Sequence, residues 1–133
     1  MRILALDWGS KRIGAAISDE DGKIAFPLDK VIETKKAINE IKYIIARYKV
    51  AWILIGIPKT TSGNEGHSAM LTKNFADKLS RETGIPQSLA DERFSSVEAR
   101  KLLHSQGLHD KKQRQIIDNV AAQIILQKYL DAK

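Results

Sequence analysis

A chain of 133 residues supports one hydrophobic core and gains little by dividing it, so one domain spanning residues 1–133 is expected. Its 43% hydrophobic and 29% charged residues exclude disordered and fibrous classes, and no stretch nears the ~20 apolar residues of a membrane span. The absence of cysteine excludes a disulfide framework, a thiolate zinc site and a cysteine nucleophile, while a net charge of +6 favours polyanionic partners.

The chain opens with Ile3-Leu4-Ala5-Leu6, a continuously apolar run that reads as a strand buried on both faces and ends at Asp7-Trp8-Gly9-Ser10. This run is too short for a secretory leader, so a cytoplasmic location is expected. Arg12 to Ser18 and Lys23 to Phe26 read as two further strands, joined by the turn residues Asp19-Glu20-Asp21-Gly22. The fold therefore begins as an antiparallel meander.

Thr34 is placed to cap a helix with Ala37, Ile38, Ile41, Ile44 and Ile45 at helical spacing. Ala51 to Ile57 follows as a second fully buried strand, and a helix between two such strands implies a parallel crossover. Pro58 to His67 reads as a long polar loop, and Met70, Leu71, Phe75 and Leu79 mark the apolar face of the next helix. Pro86 to Ala90 reads as a short strand running into Asp91-Glu92-Arg93. A capping box at Ser95 and Glu98 predicts a helix that Gly107 ends. After the basic stretch His109 to Arg114, Ile116, Ile117, Val120, Ile124 and Leu130 predict a last helix. This order suits a five-stranded mixed α/β sheet, antiparallel through strands 1–3 and parallel beyond, flanked by helices.

Acidic residues at three sites stand out. Asp7 ends a strand too apolar to tolerate a lone carboxylate, although alone it is also an ordinary first residue of a turn. Asp91 and Glu92 stand at another strand end, where open α/β sheets bind ligands. Their ordinary reading is charge upstream of a helix. Adjacent side chains diverge there, so one of the pair is expected to face a site, with Glu92 favoured. Asp118 lies in the last helix with Ala121 and Ala122 at i+3 and i+4, which lets that helix come close to the sheet. Alone it reads as a solvated polar position. Together these acids form a set of hard oxygen donors of the kind Mg²⁺ or Mn²⁺ takes beside phosphate. His67, His104 and His109 fit no zinc spacing and read as structural or solvated.

The ordered motifs resemble the YqgF family of Holliday junction resolvases, also described as nucleases for the 5′ end of precursor 16S ribosomal RNA. The resemblance rests on Asp7-Trp8-Gly9-Ser10-Lys11-Arg12-Ile13-Gly14, on Gly56-Ile57-Pro58 with Gly63, on Asp91-Glu92-Arg93-Phe94-Ser95-Ser96, and on Asp118-Asn119-Val120-Ala121-Ala122 with Ile125-Leu126-Gln127. It covers essentially the whole chain. The sequence departs at Phe94 and Ser96, where many members carry Leu and Thr, and keeps every acidic position.

The resemblance implies a ribonuclease H-like fold and a metal-dependent nuclease site, with Asp7, Asp91 or Glu92, and Asp118 as its acids. Asp7, Glu92 and Asp118 are then the expected metal ligands. Two Mg²⁺ or Mn²⁺ ions ~3.5–4 Å apart would serve in-line attack on phosphorus, and Arg12, Lys59 and Arg93 are candidates for contacting substrate phosphate. The partner is expected to be precursor ribosomal RNA, cut by a monomer, or branched DNA, cut by a two-fold homodimer. Two other classes compete. An actin-like ATPase shares the Asp-Gly turn after the first strand but clamps nucleotide between two such domains, and a non-catalytic RNA- or DNA-binding module would use the acids only as solvated charge.

Overall fold

In the computed structural model, residues 1–57, 67–91 and 111–132 are described. Their elements in chain order are strands β1 (Arg2–Asp7), β2 (Arg12–Ser18), β3 (Ala25–Pro27) and β4 (Ile32–Glu33), a 3-10 turn (Thr34–Lys36), helix α1 (Ala37–Tyr48), β5 (Val50–Ile57), α2 (His67–Thr83), β6 (Gln87–Asp91) and α3 (Lys111–Asp131). The expected helix from Ser95 to Gly107 lies outside the described residues. So does the expected loop up to position 66, while His67 already opens α2.

The strands order as β3-β2-β1-β5-β6. The first three form the antiparallel meander, and β1, β5 and β6 run parallel. The expected mixed sheet is present, with one strand more than the five anticipated. The addition is β4, which pairs antiparallel with β2 through Arg12↔Glu33 and Ile13↔Ile32. Two residues are too few to show a two-residue period in the sequence.

Alternation along β1 divides the core. Leu4 and Leu6 pack with Ile41 of α1 and with Ala76 and Leu79 of α2. Ile3 and Ala5 face the other way and pack with Ala122, Ile125, Leu126 and Leu130 of α3. The sheet is thus buried on both faces, which is why β1 and β5 are continuously apolar.

Three local expectations are corrected. Thr34 does not cap α1, because it begins a 3-10 turn and its hydroxyl donates to the Gly9 carbonyl at 2.7 Å, tying that turn to the β1–β2 connection. On α2 the buried stripe is Ala69, Thr72, Ala76 and Leu79, whereas Met70 is 52% exposed. Leu79 is fully buried and Phe75 packs against the core as expected, while the small residues Ala69, Thr72 and Ala76 take the positions at i, i+3 and i+7 that face the sheet. The third strand starts at Ala25, because the Asp19 carboxylate accepts the Lys23 and Ile24 N–H groups (2.8 and 3.2 Å) and keeps those residues in the turn. These bonds hold the Asp19 carboxyl below its ordinary value of 3.8. No helix among the described residues is long and apolar enough to cross a membrane.

Candidate active site

Asp7 is the last residue of β1, half-buried, with Gly14 of β2 on one side and Gly56 of β5 on the other. The row continues to Ala90 of β6, and Asp91 pairs with Ile57 one step further on. Since Ile3 and Ala5 face α3, the two-residue period puts Asp7 on that same face. Two glycine neighbours leave the carboxylate no side chain alongside it in the adjoining strands.

Helix α3 passes over this row at Gly14. A Cβ built on Gly14 would run into the backbone carbonyl of Asp118, so only glycine allows the helix to lie where it does. Directly opposed antiparallel residues have Cα atoms about 4.5–5.5 Å apart, so the Asp118 backbone rests on the immediate neighbour of Asp7. Ala121 and Ala122, both fully buried, continue the close contact.

Side-chain amides fix the helix in this position. Asn119 is 4% exposed; its Oδ1 accepts the Ala15 N–H at 2.8 Å and its Nδ2 donates to the Leu28 carbonyl at 2.7 Å. Ala15 lies on the outer edge of β2 between its pairings with β3 and β4, and the Asn119 amide fills that break. Two further amides on the same helical stripe reach the edge strand. Gln123 donates to the Ala25 carbonyl at 3.1 Å, and Gln127 accepts the Ala25 N–H at 2.9 Å. A buried backbone N–H deprived of such a partner costs about 1–3 kcal/mol, so these amides hold both the helix and the sheet edge.

The Asp118 side chain pairs with Arg12. Its Oδ2 accepts from Arg12 Nε at 2.7 Å, with the two side chains 26% and 41% exposed. Arg12 is the first residue of β2 and follows a turn held by Gly9, where a Cβ would strike the Arg12 carbonyl. Of the residues the sequence singles out, Arg12 and Asp118 pair here, and the Asp118 backbone rests on Gly14, the strand neighbour of Asp7. Asp91 ends β6 beside β5, and its side chain lies outside the described residues, as do Lys59, Glu92 and Arg93. Among the described residues no three His, Asp or Glu gather into a group able to hold a metal ion.

Two residues that build the site were not singled out by sequence reasoning. Gly14 was legible as a glycine inside a strand pattern, which marks close backbone approach. Asn119 was legible as an amide within an otherwise apolar helical stretch, where such a residue needs a partner.

Several known proteins resemble the chain. The model of the family described as "RuvX: Holliday junction resolvase" matches residues 1–132. A protein of Carboxydothermus hydrogenoformans named "Putative pre-16S rRNA nuclease" is 44% identical over 135 residues, covering 100% of this chain and 98% of its own length. One of the same name from Chloroflexus aurantiacus is 43% identical, covering 98% and 87%. Among solved structures, Thermus thermophilus RuvC in complex with a Holliday junction substrate superposes with a TM-score of 0.61 at 13% identity, covering 99% of this chain and 95% of that one. That likeness carries the fold, which is ribonuclease H-like.

Proposed function

Because the chain belongs to the RuvX family of Holliday junction resolvases, we propose that it is a metal-dependent endonuclease that trims the 5′ end of precursor 16S ribosomal RNA in the cytoplasm. The observation that supports this reading is the seating of the Asp118 backbone on Gly14, the cross-strand neighbour of Asp7, which brings the acid-bearing turn of the last helix to the end of β1. The name shared by relatives that match along the full chain supports the RNA substrate.

The donor set fits Mg²⁺ or Mn²⁺. Both described acids are hard oxygen ligands on one face, and both keep some exposure to solvent. We assign Asp7, Asp118 and Glu92 as the ligands. Ala90 packs toward α3, and a two-residue period counted on from it reaches position 92 and passes over Asp91. When bound, the ions supply the Lewis acidity that phosphodiester hydrolysis requires. The chain's own part is to hold the acids and orient the strand. Arg12 fixes one Asp118 oxygen through Nε, and its terminal nitrogens are the groups we assign to a substrate phosphate, with Lys59 and Arg93 as further phosphate contacts.

The family description favours one alternative, a resolvase acting as a two-fold dimer on branched DNA. Incubating the protein with precursor 16S ribosomal RNA and with a four-way DNA junction, each with Mg²⁺, Mn²⁺ or EDTA, separates the two. Cleavage near the 5′ end of the RNA is expected with either ion and not with EDTA. Cleavage of the junction alone would transfer the reading to DNA, and cleavage of neither would contradict it.

A further inference from the structure

Two hollows lie side by side along β4 and α1, and neither is lined by Asp7 or Asp118. The first, about 620 Å³, runs past Lys11, Arg12, Lys30 and Lys35. The second, about 540 Å³, runs past Tyr43, Arg47 and Tyr48. They adjoin at Asp29, Lys30 and Val31, which line both, and together make a groove. The fold gathers its cations from separate segments. Thr34 N–H donates to the Lys11 carbonyl at 3.1 Å, which draws the 3-10 turn bearing Lys35 against the β1–β2 turn.

Lys11, Lys30 and Lys35 are all exposed, and none pairs with a carboxylate among the described residues. The acids along the two hollows are Asp29, Glu33 and Glu40, set against the cations Lys11, Arg12, Lys30, Lys35 and Arg47, and Glu33 also lies 3.9 Å from Lys36, which lines neither hollow. At the far end Tyr43 is 63% exposed. Its hydroxyl accepts from Arg47 Nη1 at 3.2 Å, and the same guanidinium lies 5.5 Å over the Tyr48 ring, so the aromatic is held outward by a stacked cation. Arg12 connects the groove to the candidate active site, since it lines the first hollow while its Nε bonds Asp118.

We infer that this groove binds an unpaired segment of the nucleic-acid strand flanking the scissile bond, with Lys11, Lys30 and Lys35 on its phosphates and Tyr43 stacked on a base. The inference rests on the nuclease reading and adds the strand's path and its single-stranded state. Lysines alone would serve any polyanion. The exposed ring selects a splayed base, because bases inside a duplex are already stacked and present no open face.

The test is fluorescence anisotropy of the full-length protein, in EDTA to prevent cleavage, with a labelled single-stranded oligouridylate, an RNA duplex of the same length and a polyglutamate peptide. The wild type is expected to prefer the single strand. In K30Q/K35Q the slope of log affinity against log salt should shrink by about 1.4, since each phosphate contact to a single strand contributes about 0.7. Tyr43→Ala should weaken single-strand binding about tenfold and leave the duplex unchanged, and Tyr43→Phe should retain it. These positions are exposed, so the variants should fold as the wild type does. Wild-type binding that both variants leave unchanged, or equal binding of polyglutamate, would overturn the groove alone. A wild type that binds neither RNA would overturn the nuclease reading with it.

Discussion

Asp7→Asn should abolish phosphodiester cleavage while leaving the fold intact. The substitution keeps the size and shape of the side chain but removes the charge at the end of β1, on the face where α3 brings Asp118. A carboxylate lost from a divalent site removes several kcal/mol of transition-state stabilisation, so the rate should fall by about 10³-fold or more. Stability should move the other way or not at all. Sites built for activity commonly sacrifice stability, and a strand-end charge held for a metal is such a site. The check is a cleavage rate beside a thermal melt. Wild-type activity in this variant would end the assignment of Asp7.

The second large effect is expected at a residue with no chemistry of its own. Gly14→Ala adds one methyl group where the Asp118 carbonyl already stands, and the obstacle is helix backbone, which cannot rotate away. Overpacking of this kind costs about 1–3 kcal/mol, and a clash with backbone belongs at the upper end. A loss of about 3 kcal/mol corresponds to a fall in Tm on the order of 10 °C for a chain of this length. Activity should fall further than stability does, because the molecules that remain folded hold α3, and Asp118 with it, displaced from Asp7. Measuring both at a temperature where the variant is fully folded separates the two losses. An unchanged Tm together with unchanged activity would show that the approach at Gly14 does not set the position of Asp118.

The contrast between these residues shows how far the sequence reaches. Strands β1, β2 and β5 were legible because burial on both faces writes a continuous apolar run. The ends of β2 coincide with those expected, and β1 and β5 each extend about one residue beyond the apolar run. Short or locally determined features were not. Strand β4 is too brief to carry a period. Thr34 has the identity of a helix cap, but its hydroxyl is taken by Gly9, twenty-five residues earlier, and no local pattern encodes that partner. Helix α2 was read from its large side chains, of which Leu79 and Phe75 do face the core, but Met70 points outward and Ala69, Thr72 and Ala76 complete the buried stripe. Helix α3 begins inside the basic stretch that reads as a connector, since a run of charged and polar residues carries no apolar spacing to reveal a helix.

The candidate site divides in the same way. Its acids were legible because a carboxylate at the end of an apolar strand demands an explanation. What joins them was less so. Ala121 and Ala122 suggested that α3 comes close, but the point of closest approach is set by Gly14 on the opposite element and locked by Asn119 across 104 residues. The Arg12–Asp118 pair spans 106 residues, and pairing over that separation becomes visible only once the fold brings the two elements together.

Whether Asp7 and Asp118 serve a common divalent ion is tested most directly, and without any substrate, by a Mn²⁺ titration followed by electron paramagnetic resonance. The wild type should take up Mn²⁺ saturably, with Mg²⁺ competing for the same site, and Asp7→Asn and Asp118→Asn should each remove that uptake while keeping the wild-type circular dichroism spectrum. A wild type that binds no Mn²⁺, or an Asp7→Asn variant that binds it as tightly as the wild type does, would contradict the account.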